Sequence, residues 1–254
     1  MAPLALDPPG RVQPGAGEIV WRVSTDKKLV ALTFDDGPDP KYTPTVLRLA
    51  REHGVKVTFF VIGREVEHHP ELARQEVAEG HAIGNHTWGH KPMTGASEKQ
   101  NLAEIEGCER AIERVCGVHT HLFRPPRGQW DGDSFLSAQA LGYRMILWTV
   151  TLEHRSSKTP EEMADRVISR ISPGMIVLAH DGEPSHALDR RRTMAALPLV
   201  IEGLKKRGYR FVTVPELLVE AKEGKGEKAV ADRVGLPGGV GAGWSRVERG
   251  GAQS

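Results

Sequence analysis

Short, nearly continuous apolar runs punctuate the chain, each followed closely by glycine, proline or a polar cluster. They fall at 28–34, 55–61, 81–85, 120–123, 143–149, 175–180 and 209–214. Runs of this length without polar alternation predict strands covered on both faces. Between them, apolar positions recur with helical spacing. Thr43-Pro44 predicts an N-cap and first helical residue, with Gly54 as the stop. Pro70-Glu71 opens a second segment, which Gly80 ends. Ser97-Glu98-Lys99-Gln100 is a capping box, opening a helix with apolar residues at 102, 105, 108, 112 and 115 and a stop at Gly117. Asp133 predicts the next cap and Gly142 the next stop; Thr159-Pro160-Glu161-Glu162 starts another helix. Helices near 192–207 and 215–222 complete the set.

About seven βα units in roughly 195 residues predict an α/β fold, a parallel sheet covered by helices. No glycine-rich dinucleotide turn follows the first strand, which favours a closed or nearly closed (β/α) barrel with helices outside over a doubly wound sheet. The length, 254 residues, suits one domain of that size or at most two smaller ones. Residues 1–26 read as a partly disordered extension and 221–254 as a Gly-rich, disordered tail, around a domain at 27–220. A net charge of +1 gives no general reason to expect nucleic acid or an anionic membrane. No window approaches the roughly 20 apolar residues of a membrane-spanning helix. The N-terminus lacks a basic start and does not read as a signal peptide, so the chain as written reads as cytoplasmic unless a leader was removed. Cys108 and Cys116 share one helical pattern, about 12 Å apart along its axis, too far for a disulfide; two reduced, buried thiols are expected.

The candidate chemistry lies where these strands end, the rim on which (β/α) barrels build active sites. Asp35-Asp36 ends the first strand, and Asn85-His86-Thr87-Trp88-Gly89-His90 the third. Arg124-Pro125-Pro126-Arg127-Gly128 follows the fourth, Thr151-Leu152-Glu153-His154 the fifth and His180-Asp181-Gly182 the sixth; the second is followed only by Gly63-Arg64. His86 and His90 can reach one ion from a helix face or a tight loop, though HxxxH alone more often describes surface histidines. With one carboxylate they make a three-ligand site with an open position. Of two adjacent carboxylates, one can take the metal and the other a proton from its water; the alternative is an Asp-Asp-Gly turn. Arg124 can hold a carboxylate ionised, or belong to a solvated proline turn. His180 can protonate a leaving group, or be a satisfied core histidine.

Together these segments resemble the NodB-like polysaccharide deacetylases, carbohydrate esterase family four, over about residues 27–220. Thr33-Phe34-Asp35-Asp36-Gly37-Pro38-Asp39 is similar to the first family motif, His86-Thr87-Trp88-Gly89-His90 to the second, Arg124-Pro125-Pro126-Arg127-Gly128 to the third and Ile176-Val177-Leu178-Ala179-His180 to the last. The resemblance implies a distorted (β/α) barrel that removes acetyl groups from sugars with a divalent metal. Zinc is the default; cobalt, nickel or iron also suit such ligands. It implies Asp35 as base, Asp36, His86 and His90 as ligands, His180 as acid, and Arg124 orienting Asp35. The Arg127 N–H would face the oxyanion, and Leu178 would line the acetyl pocket. The implied partner is an acetylated carbohydrate of chitin or peptidoglycan type, with no nucleic acid and no membrane insertion. Such substrates usually lie outside the cell, against the reading of the N-terminus.

The remaining motif, an Asp followed by Trp, should fall near 151–155. In register, His154 stands at the Asp and Arg155 at the Trp. Glu153 or Asp181 could replace the carboxylate that tunes His180. Arg127 stands where Tyr is commoner, and Trp130 could stack on a sugar or be a core or rim aromatic. Two other functions fit the same residues: an O-acetyl ester hydrolase, which depends less on a tuned acid, and a non-catalytic carbohydrate-binding descendant. The oligomeric state leaves no trace in the sequence.

Overall fold

A computed structural model describes residues 17–183 and 188–223. The sequence expectations for residues 1–16 and 224–254 lie outside the described residues. The strands are β1 (Ile19–Val20), β2 (Leu29–Asp35), β3 (Thr58–Val61), β4 (Ala82–Asn85), β5 (Leu122–Phe123), β6 (Arg144–Ile146), β7 (Val150–Thr151), β8 (Met175–His180) and β9 (Arg210–Phe211). The helices are α1 (Thr43–Glu52), α2 (Gly63–His68), α3 (Pro70–Ala78), α4 (Glu98–Cys116), α5 (Gly132–Ala140), α6 (Pro160–Arg170), α7 (Arg191–Lys206) and α8 (Val214–Glu223). Strand order is β1-β6-β5-β4-β3-β2-β8-β7, with β9 also on β2, and every paired strand runs parallel.

Each predicted apolar run contains a strand; β1 and β7 are additional. β1 lies inside the segment read as an extension and pairs with β6. The run at 143–149 yields only β6, because the chain changes neighbours there: β6 pairs with β5 and β1, whereas β7 pairs with β8. That switch carries the sheet round into a distorted barrel. Below it the Val23 N–H donates to Gly174 O at 2.8 Å, and the Thr149 hydroxyl donates to Trp21 O at 2.8 Å.

Side-chain parity along the strands decides what faces the barrel axis. On β2, Val30, Leu32 and Phe34 pack outward under α1 and α7, with Val46, Leu47 and Leu197. Leu29 and Ala31 face inward with Phe60, Ile146 and Ile176, and Val214 and Leu217 of α8 close this inner cluster. The same alternation leaves Thr33 and Asp35 on the inner face, and on β8 Leu178 and His180, since Val177 and Ala179 pack outward.

The Ser97–Gln100 capping box is present, and Gly117 ends α4 in the left-handed region. Two other caps shift. Asp131, not Asp133, caps α5, because Ser134 three residues on completes a reciprocal box. Tyr42, not Thr43, precedes α1; the Thr43 hydroxyl instead accepts from the Asp39 N–H at 2.8 Å and donates to Asp181 Oδ2 at 2.5 Å. Both cysteines are free; Cys108 is buried, but Cys116 is only half-buried. Among the described residues no helix is long and apolar enough to cross a membrane.

Candidate active site

β2 and β8 lie side by side with Asp35 opposite His180, so the two ends of the proposed chemistry are strand neighbours. Arg124, fully buried at the end of β5, donates from Nη1 to Asp35 Oδ1 at 2.6 Å and to Thr33 Oγ1 at 2.9 Å. Its Nε and Nη2 donate to the carbonyls of Ile146 (2.9 Å) and Leu147 (3.2 Å). The guanidinium carbon lies 3.9 Å from the centre of the Phe60 ring. Burial lowers the Arg124 pKa, and the Asp35 charge opposes that. A buried cation fixed this way would leave Asp35 Oδ2 for other work.

Asp36 follows at φ 78°, a left-handed conformation that turns its carboxylate toward the histidines. Its Oδ1 lies 3.5 Å from His86 Nε2 and 3.3 Å from His90 Nε2, yet this buried oxygen has no hydrogen-bond partner among the described residues. Burial alone would raise the Asp36 pKa; His86, His180 and His90 outweigh it and hold it at about 2. Burial, then His86, push His90 down to about 4, so both Asp36 and His90 favour the forms that ligate. His86 Nδ1 sits 2.7 Å from the Arg124 carbonyl oxygen. A carbonyl only accepts, so Nδ1 carries a proton and Nε2 is the nitrogen that faces Asp36, the outer-sphere arrangement typical of metal-binding histidines. His90 is held on a turn: Thr87 and His90 both have positive φ, and the His90 N–H donates to Thr87 Oγ1 at 3.0 Å. One ligand atom from each of Asp36, His86 and His90 falls within 4.8 Å of the others. An unpartnered buried carboxylate oxygen facing two imidazole nitrogens fits a divalent cation.

Across the rim, His180 Nδ1 lies 3.2 Å from Glu153 Oε2. Glu153 Oε1 accepts from the Thr193 hydroxyl at 2.8 Å and from the His180 N–H at 3.2 Å. Burial lowers the His180 pKa, but Glu153 and then Asp36 and Asp35 raise it above the ordinary value. Of the two candidate tuning carboxylates, Glu153 touches His180. Asp181 has its hydrogen bond with Thr43, and burial raises its pKa to about 7. His154 and Arg155, which the motif register placed at the Asp and Trp positions, are exposed; His154 Nδ1 pairs with Ser156 Oγ at 2.7 Å. The register fails because Leu152 packs outward and its N–H pairs with Leu178 O, so parity turns Glu153 inward and His154 out.

The cleft over these groups has a volume of about 520 Å³; its lining includes Leu178, Arg127 and Trp148 as well as Asp35, Asp36 and the three histidines. Arg127 is exposed at φ 59°, and its N–H takes no part in the flanking turn bonds from Gly128 to Pro125 and Gln129 to Pro126. Trp130 is not in the lining; its ring packs on Phe135, with centroids 5.9 Å apart. The aromatic in the cleft is Trp148, against which Gly128 packs so closely that a Cβ there would meet the indole at 2.6 Å. Trp148 lies within a run read as strand, where an aromatic signals only burial. Arg64 and Arg190 also line the cleft. Arg190 stands in the charged run Asp189-Arg190-Arg191-Arg192, which by pattern is a solvated helix start.

A parallel barrel with two carboxylates and three histidines on one rim, three of these converging on a cation-sized gap, defines a hydrolase class of (β/α) barrel. A family model described as polysaccharide deacetylase matches residues 22–146. A peptidoglycan-N-acetylglucosamine deacetylase of Bacillus cereus is 41% identical, over 80% of this chain and 93% of the relative. A chitooligosaccharide deacetylase of Azorhizobium caulinodans is 32% identical, over 76% and 96%. The crystal structure of the Bc1960 peptidoglycan N-acetylglucosamine deacetylase, bound to 4-naphthalen-1-yl-N-oxidanyl-benzamide, superimposes with a TM-score of 0.73 at 31% identity, over 78% of this chain and 92% of that one. The chain belongs to the polysaccharide deacetylase family, carbohydrate esterase family four.

Proposed function

We propose that this protein is a metal-dependent deacetylase that hydrolyses the N-acetyl amide of N-acetylglucosamine units in a peptidoglycan- or chitin-type glycan. The observation that carries the reading is the unpartnered Oδ1 of Asp36 between two imidazoles, beside an Asp35 held by Arg124 and opposite a His180 held by Glu153. Asp36, His86 and His90 would hold the cation. When bound there, a divalent ion polarises the acetyl carbonyl and lowers the pKa of water toward about 7; zinc is the ion we favour.

The chain's own residues supply the rest. Asp35 Oδ2 accepts the proton of the attacking water, while Arg124 on Oδ1 holds the carboxylate in place. The Arg127 N–H would help hold charge on the carbonyl oxygen. Leu178 gives the acetyl methyl an apolar wall, and Trp148 shapes the side of the cleft. His180 donates a proton to the departing amine from Nε2, with Nδ1–H directed at Glu153. An amide leaves poorly without that proton, so the raised His180 pKa matters most for this bond.

Acetate release from N-acetylglucosamine oligomers tests the reading. A chelator should abolish it, added zinc should restore it, and Asp36→Ala should neither release acetate nor retain stoichiometric zinc. Deacetylation that survives complete metal stripping would refute the proposal.

A further inference from the structure

Glu153 differs from an aspartate in a way that creates a mechanical problem. It is one methylene longer, with an additional rotor to hold; His180 meets one side of each oxygen, Nδ1 at Oε2 and the backbone N–H at Oε1, both at 3.2 Å, and the far side of Oε1 is left for another element. The start of α7 meets that need. Thr193, in its first turn, donates to Glu153 Oε1 at 2.8 Å. Arg190, at its N-cap, brings Nη1 to 4.0 Å from the same oxygen and Nη2 to 3.9 Å from Asp36 Oδ2. These separations make charge contacts, not hydrogen bonds. The guanidinium is nonetheless anchored: Nε donates to Gly182 O at 3.1 Å, and Arg190 is only 9% exposed. Gly182 is wedged against the turn after β2, where a Cβ would run into the Asp36 carbonyl oxygen. Asp35 and Asp36 line the cleft, and Glu153 backs it at His180 Nδ1. Arg124 serves Asp35, and Arg190 is the cation shared by the other two.

We propose that Arg190 is a positioning residue: with Thr193 it clamps Glu153 against His180, and it ties that pair to the outer oxygen of Asp36. The acid side of the cleft is thereby held at a set distance from the cation side. The inference rests on the deacetylase reading above. Because Arg190 acts through the acid, its loss should tell on an amide, whose amine needs a proton, more than on an activated ester.

The test uses full-length, zinc-loaded Arg190→Met and Arg190→Lys, with chitotetraose and 4-nitrophenyl acetate as substrates and zinc affinity measured by chelator competition. Outer contacts of this kind are commonly worth about 10- to 100-fold. Arg190→Met should lower kcat on chitotetraose by at least about tenfold, with KM within about threefold. Its aryl-acetate rate should fall by no more than about threefold, with zinc still bound one to one, and Arg190→Lys should recover part of the loss. Thr193→Val, a milder change, should show the same amide-selective loss and decides the matter if Arg190→Met does not fold. Parallel loss on both substrates, a raised KM at unchanged kcat, or no change would overturn the proposal. A wild-type protein that releases no acetate from chitotetraose would overturn the deacetylase reading and this inference together; an active wild type with an indifferent Arg190→Met would overturn only the latter.

Discussion

Asp35 has one oxygen 2.6 Å from a buried guanidinium, while its chain neighbour Asp36 has a buried oxygen with no hydrogen-bond partner among the described residues. Like charges placed side by side in sequence are separated by giving each a different counter-ion. Glu153 and His180 follow the same logic across the rim. Glu153→Gln would remove the charge that raises the His180 pKa. Since His180 must be protonated to act, the alkaline limb of the pH–rate profile should move to lower pH, with a loss of about 10- to 100-fold at neutral pH; an unmoved limb would exclude Glu153 from this role. Much of the site at this scale was legible in the sequence, because strand ends mark the rim and Asp36, His86 and His90 sit at or just after them. Glu153 was harder, since a motif register is counted along the chain whereas a side chain's direction follows parity; apolar Leu152 carried the signal that Glu153 turns the other way. Arg190 left none, because a buried arginine and a solvated one look alike beside Arg191 and Arg192.

Among the elements, α4 matters to the site through a single turn. Glu104 Oε2 accepts the Gly89 N–H at 2.7 Å, and Glu104 O accepts the Trp88 N–H at 2.8 Å, so the loop between His86 and His90 hangs on the second turn of this helix. The helix start is secured by the Ser97–Gln100 box. Ser97→Ala should cost about 1 kcal/mol of stability, measured by urea unfolding. The box was plain in the sequence because its residues are local. The caps at Tyr42 and Asp131 were less so: Thr43 gives its hydroxyl to Asp39 and Asp181, and Asp131 depends on Ser134 for its return bond.

For the whole molecule, the apolar runs disclosed a parallel barrel but not how it closes. Closure depends on β1, two residues long, and on a change of neighbours between β6 and β7, neither of which alters the hydrophobic pattern. The packing also contains a cost. Glu76 on α3 is fully buried, with neither carboxyl oxygen hydrogen-bonded among the described residues, and burial raises its pKa well above 4.5. In the folded protein it stays protonated at pH values where the unfolded chain ionises, so stability declines as pH rises above about 4.5. Glu76→Met should therefore stabilise the fold by about 1 kcal/mol or more at pH 8, and by less at pH 5. A gain independent of pH would mean the carboxyl is ionised in place.

Arg124 serves the cleft twice, by different parts of itself: its side chain grips Asp35, while its main-chain oxygen accepts the hydrogen bond from the His86 Nδ1–H. Substitution can erase the first service but not the second. Alanine scanning at this position would therefore see only half of what the residue does. The same division makes the centre separable: a variant at 124 that still folds should keep His86 oriented while Asp35 loses its support, so under the proposed function it would be expected to retain zinc but lose acetate release.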